Sequence, residues 1–208
     1  APLAVPLIFR PQPCFLMTQL GGKIPAAVAD VRKSLESRFK LAGIACIDAA
    51  SVVTGRDFLL KIWELIVAVP IGVAIIHQEM GAKTIGNIFY ELGLMQAYGK
   101  ETLVVTTPGA GIPSDFVRTE YVEYSSGFED RLDRFLESLD ERADYYVQMS
   151  DQLENNPLLA IDFLRRAFLL TRNPDLKDKA AELFASAGLS SRAKSSVEAL
   201  LINSFNER

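Results

Sequence analysis

The chain has 208 residues, 49% of them hydrophobic and 23% charged, the balance of a soluble globular protein with room for one ordinary domain and a helical appendage. Its formal net charge of −4 is uneven: residues 1–127 carry 11 basic and 11 acidic side chains, residues 128–208 carry 11 and 15. Lacking a basic block, a Cys/His cluster and an apolar run long enough to span a bilayer, it excludes nucleic acid, zinc and membrane readings and leaves the cytoplasm as the expected location.

Residues 1–12 (APLAVPLIFRPQ) carry no basic leader pattern and read as a proline-stiffened arm. Cys14 to Met17 is a short apolar run, the expected first strand, followed by the loop TQLGGKIP. From Ile24 to Leu41, Val28, Val31, Leu35 and Phe39 keep helical spacing, and Gly43 ends that helix. Ile44–Asp48 reads as the second strand. Arg56 to Ala68 reads as a second helix, with Phe58, Leu59, Ile62, Leu65 and Ile66 as its buried stripe. Cys14 and Cys46 both fall in expected inner strands and read as small buried thiols in a reducing compartment, not as a disulfide framework.

Ile71–His77 is the third strand, and a helix capped by Asn87 is expected to follow. Thr102–Thr106 is the fourth strand and Tyr121–Tyr124 a short last one. Continuous apolar strands alternating with amphipathic helices predict a flavodoxin-like, Rossmann-like α/β sandwich of about five parallel strands over residues 13–127. Ligands of such folds bind at the carboxyl edge of the sheet. Asp48, His77 and Asn87 all fall at or just after strand ends. From residue 128 to 208 the pattern is helix only, broken at Asn156-Pro157, Asn173-Pro174 and Gly188. This all-α C-terminal region is expected to serve packing, or a homo-oligomer.

One residue breaks the pattern. Ile88, Leu92, Met95 and Tyr98 form an apolar arc at helical period, and Glu91 lies inside it. A carboxylate among apolar side chains is uncommon unless it is paired or has chemistry to do.

The ordered set CFLM, Asp48, Gly55, NIFYELGLMQAYGKETLVV and IPSDF before YVEY resembles the TIR-like and nucleoside 2-deoxyribosyltransferase-like predicted nucleotide-binding proteins over about residues 13–125. The resemblance implies cleavage or exchange of an N-glycosidic bond of a nucleoside, a nucleotide or NAD. The helix glutamate, here Glu91, would stand at the ribose, with Asn87 and Tyr90 as its motif neighbours. Many relatives carry an acidic residue near the end of the third strand; this chain has IIHQE, with His77 and Glu79.

Breaking a base–ribose bond builds positive charge at the anomeric carbon, which a carboxylate can stabilise or attack. Glu91 is therefore the expected catalytic residue, its ionised form favoured by a helix start at Asn87. Asp48 is a candidate for ribose hydroxyls or a cap for the loop after it. Asp57 either contacts substrate or favours a helix start, and Arg56 either meets a phosphate or is solvated. His77 is a substrate contact or a hydrogen-bonded bystander at the cleft mouth. No cofactor or metal is expected, with NAD or another nucleotide as substrate or ligand. The alternative reading is a non-enzymatic nucleotide-binding sensor or signalling module, or a protein-interaction adaptor.

Overall fold

The computed structural model describes residues 12–50, 58–112, 121–153 and 155–191, with a few isolated positions up to 205. Five strands form one all-parallel sheet: β1 (Pro13–Met17), β2 (Ala45–Asp48), β3 (Ile71–Ile76), β4 (Glu101–Thr106) and β5 (Tyr121–Glu123). Their order across the sheet is β2-β1-β3-β4-β5. This is the flavodoxin-like order, in which the chain reverses direction across the sheet at β1 and β3. Helices α1 (Ala26–Leu41), α2 (Phe58–Ala68) and α3 (Ala82–Ala97) make the crossovers, and α4 (Phe128–Gln152), α5 (Pro157–Thr171) and α6 (Pro174–Ser186) follow.

β1 and β3 are buried at every position, as strands covered on both faces must be. Alternation sends Phe15, Met17, Ala74 and Ile76 to one face, where they pack with Ile62, Leu65 and Ile66 of α2 and Ile88, Phe89, Leu92 and Met95 of α3. Cys14, Leu16, Val73 and Ile75 point to the opposite face. β2 is an edge strand, so Cys46 is half-buried and not inner as expected. The other helix pair, α1 and the start of α4, meets through Phe39 stacked on Phe135 with ring centroids 6.4 Å apart. An Arg38–Asp133 ion pair and a Ser34–Glu129 hydrogen bond flank that stack.

Gly43, with φ +75°, turns the chain out of α1 while Ile44 N–H closes on the Phe39 carbonyl at 2.8 Å. Gly72 is required for a different reason. A Cβ there would overlap the Met95 sulfur and stand 2.8 Å from Met95 Cε and 3.0 Å from Met17 Cε. The two methionines occupy the space a side chain would fill. Gly72→Ala is expected to lower stability by about 1–3 kcal/mol, because only the flexible thioethers can give way. Urea unfolding tests this, and a midpoint equal to that of the parent chain would refute the close packing.

The α3 boundary differs from the sequence reading. The helix begins at Ala82 behind Gly81, five residues before Asn87, and no side chain caps it. Gly86-Asn87 has the composition of a turn, but the helix continues through it at the ordinary cost of an internal glycine, about 1 kcal/mol. Asn87 is therefore an interior residue, and Glu91 lies beyond the reach of the helix-start charge, which fades within the first turn. Tyr98 also leaves the buried arc: it closes α3, is 42% exposed and meets Trp63 edge-on at 5.6 Å.

The chain divides into two compact units, Pro13–Glu137 and a second made of residues up to Gln12 with Ser138–Arg208. The division falls inside α4, not before it. In the second unit, Asn156 accepts from Leu159 N–H and Asn173 from Asp175 N–H, each followed by a proline at the first helical turn. Phe168 packs on Phe205 at 5.0 Å, and Gln12 Nε2 donates to the Leu170 carbonyl at 2.7 Å. Most of the segment from 192 onward lies outside the described residues. Among the described residues no helix is long and apolar enough to cross a membrane.

Candidate functional site

A cavity of about 310 Å³ opens at the carboxyl end of β1 on the α2/α3 face of the sheet. Phe15, Met17 and Thr18 bring the end of β1 to it, Ala49 the residue after β2, and Ile62 one turn of α2. From α3 come Thr84, Asn87, Ile88 and Glu91, whose three- and four-residue spacing places them on one helical stripe. The wall is mostly apolar, and Glu91 is its one charged side chain among the described residues. Ligand pockets of open α/β sheets lie at this edge, near the point where strand order reverses.

No described residue makes a hydrogen bond or ion pair with Glu91. Burial pushes its carboxyl up to about 7, because the ionised form loses water and gains no counter-charge. An acid held near neutrality in a cleft is the usual condition of a group prepared for proton or charge chemistry. Its position follows from local sequence. The stripe 84, 87, 88, 91 faces the cavity, while Leu92 and Met95 turn into the core beneath it and are fully buried.

Of the other expected site residues, Asn87 lines the cavity, as an exposed side chain in the second turn of α3. Tyr90 is 69% exposed and does not line it. Asp48 is buried at the end of β2, where its Oδ2 lies 2.6 Å from Arg32 Nη2 of α1. Register pairs it with Leu16, whose side chain shares the α1 face, so its carboxylate is engaged away from the α2 and α3 walls. His77 follows β3 and is almost fully buried, with Nε2 2.9 Å from Gln19 Oε1. Gln19 Nε2 donates to the Gly21 carbonyl, which orients the amide so that its oxygen accepts from His77 Nε2–H. The remaining ring nitrogen, Nδ1, has no partner among the described residues. His77 is thus held at the reversal point without forming part of the cavity wall. Arg56 and Asp57 lie outside the described residues.

Thr18 is the residue that sequence reasoning missed. It directly follows β1 and lines the cavity, yet its Oγ1 is shielded from solvent and has no partner among the described residues. Such a hydroxyl is costly to leave unmatched, and a ligand polar group would satisfy it. Thr18→Val keeps the shape and deletes the hydroxyl. For a small molecule that occupies this cavity we expect affinity, measured by calorimetric titration, to fall roughly 5- to 10-fold, with a melting temperature equal to or above that of the parent chain. Unchanged affinity would remove Thr18 from the site.

Among the described residues no three His, Cys, Asp or Glu side chains gather as a metal site. The sheet order and the cavity at its carboxyl edge define a flavodoxin-like α/β protein. No protein-family model matches the chain, and no curated protein is significantly similar to it.

Proposed function

We propose that this chain is an N-glycosidase or deoxyribosyltransferase-like enzyme of the TIR-like group, acting on a nucleotide or nucleoside, with NAD as the first substrate to test. The observation that carries the reading is Glu91, a carboxylate with no partner among the described residues and the one charged side chain lining a mostly apolar cavity at the ligand edge of the sheet. In such a setting a carboxylate stabilises developing positive charge far more than it would in water. The cavity is at the small end of ligand pockets, which suits a base with its sugar and leaves the rest of a dinucleotide outside.

The ionised form is the active one in this reading. The nicotinamide ring of NAD leaves as a neutral base, so the substrate needs no strong general acid, and one placed carboxylate supports the departure by charge or by attack at the anomeric carbon. Base release should therefore rise with pH through about 7, where Glu91 loses its proton. A rate that instead falls through this range assigns Glu91 the role of proton donor and points to a neutral nucleoside. The deciding experiment follows free base from NAD and from a deoxynucleoside panel, with the parent chain and with Glu91→Gln. Binding without release favours a nucleotide sensor, and neither binding nor release leaves a protein-interaction adaptor.

A further inference from the structure

Cys14 and Cys46 are direct register partners on the neighbouring parallel strands β1 and β2. Their side chains share one face of the sheet, the α1 face, near enough that the Cys46 thiol, after burial, helps push the Cys14 thiol up. Adjacent strands stand about 4.8 Å apart, inside the Cα separation that a disulfide spans, roughly 4.4–6.8 Å. From that spacing the Cβ atoms must close by about 1 Å to reach the usual disulfide separation, and β2, an edge strand with β1 as its strand neighbour, is placed to supply that shift. The two thiols also differ in access. Cys14 is fully buried, whereas Cys46 is half-buried and open to a small oxidant.

We propose that Cys14 and Cys46 form an oxidisable pair that closes to a disulfide between β1 and β2 when a peroxide reaches Cys46. The Cys46 thiolate attacks one peroxide oxygen and breaks the O–O bond, giving a sulfenic acid; the departing hydroxide takes the thiol proton and leaves as water. The Cys14 sulfur then attacks the Cys46 sulfur, the S–O bond breaks, and the hydroxyl leaves as a second water with the Cys14 proton. Two thiols and one peroxide become one disulfide and two waters, and two electrons pass from sulfur to oxygen. The bond ties β2 to β1 three residues before Ala49, which forms part of the cavity wall. It follows from strand register alone and does not rest on the proposed catalysis.

The test treats the native folded chain with hydrogen peroxide, blocks remaining thiols with an alkylating reagent after unfolding, and reads intact mass and peptide map. The expected result is loss of two hydrogens per chain, loss of both alkylatable thiols, a Cys14–Cys46 linked peptide within one chain, and reversal by dithiothreitol. Cys14→Ala, checked for an unchanged melting transition, should instead hold Cys46 as a sulfenic acid that dimedone traps. Cys46→Ser should leave Cys14 reduced. The proposal fails if Cys46 gains two or three oxygens while Cys14 still alkylates. It fails equally if the disulfide joins two chains, or if neither thiol reacts in the parent chain.

Discussion

On the proposed N-glycosidase reading, Glu91→Gln is expected to abolish base release, by about 10³-fold or more, while making the folded chain more stable above neutral pH. The two effects share one cause. Glutamine keeps the shape of the side chain and removes its charge, so the cavity loses the group proposed to oppose positive charge at the anomeric carbon. For the same reason the variant no longer takes an ionised carboxylate out of water with no partner to receive it.

The sign of the stability change follows from proton linkage. Glu91 titrates at about 7 in the folded chain, against an ordinary glutamate value of about 4.3 when unfolded. Between these two values the folded state holds the more protons, so stability falls as pH rises through that window and levels off above 7. The full linkage amounts to roughly 4 kcal/mol, reduced to about 2 kcal/mol because the carboxylate is partly solvated. Urea unfolding of both chains at pH 5 and pH 8 isolates this group by difference. The parent should lose about 1–1.5 kcal/mol relative to the variant on going to pH 8, since pH 5 already lies within the window. Equal pH dependence would mean that Glu91 is not desolvated, and the site would lose its chemical basis. A variant that gains stability yet still releases base would separate the cavity from the catalysis.

Glu91 was legible because its evidence is periodic. Ile88, Leu92 and Met95 define a buried arc wherever the helix begins, so misplacing the start at Asn87 left the glutamate on the correct stripe. The helix-start charge assigned to it did not survive, since that argument depends on the boundary itself. β3 and β4 were legible as continuous apolar runs, the mark of strands buried on both faces. Asp48 and Thr18 were not. Asp48 pairs with Arg32 on α1, and the Thr18 hydroxyl, which has no partner among the described residues, is shielded where β1, α2 and α3 line one cavity. A loop reading TQLGGKIP carries no trace of either relation.

The same distinction governs the domain edge. Composition changes at Phe128, where charged amphipathic helix replaces alternating strand and helix, yet the α/β unit runs on to Glu137. The cause is Phe39. This fully buried ring on α1 stacks against Phe135, and with the Arg38–Asp133 pair it binds the first ten residues of α4 into the unit. Phe39→Ala is expected to cost about 3–5 kcal/mol, combining lost burial, a cavity and the aromatic contact. Total stabilities of about 5–15 kcal/mol make this a large fraction, readable as a lower guanidinium midpoint for the chain. Phe39→Leu retains most of the volume and should cost less than Phe39→Ala by about 2 kcal/mol. Because Phe39 packs on the sheet face opposite Glu91, base release per folded molecule should stay within about twofold of the parent under conditions where the variant is folded, as expected for well-separated sites. A midpoint unmoved by Phe39→Ala would mean that the Phe39–Phe135 stack is not what holds the start of α4 in the α/β unit.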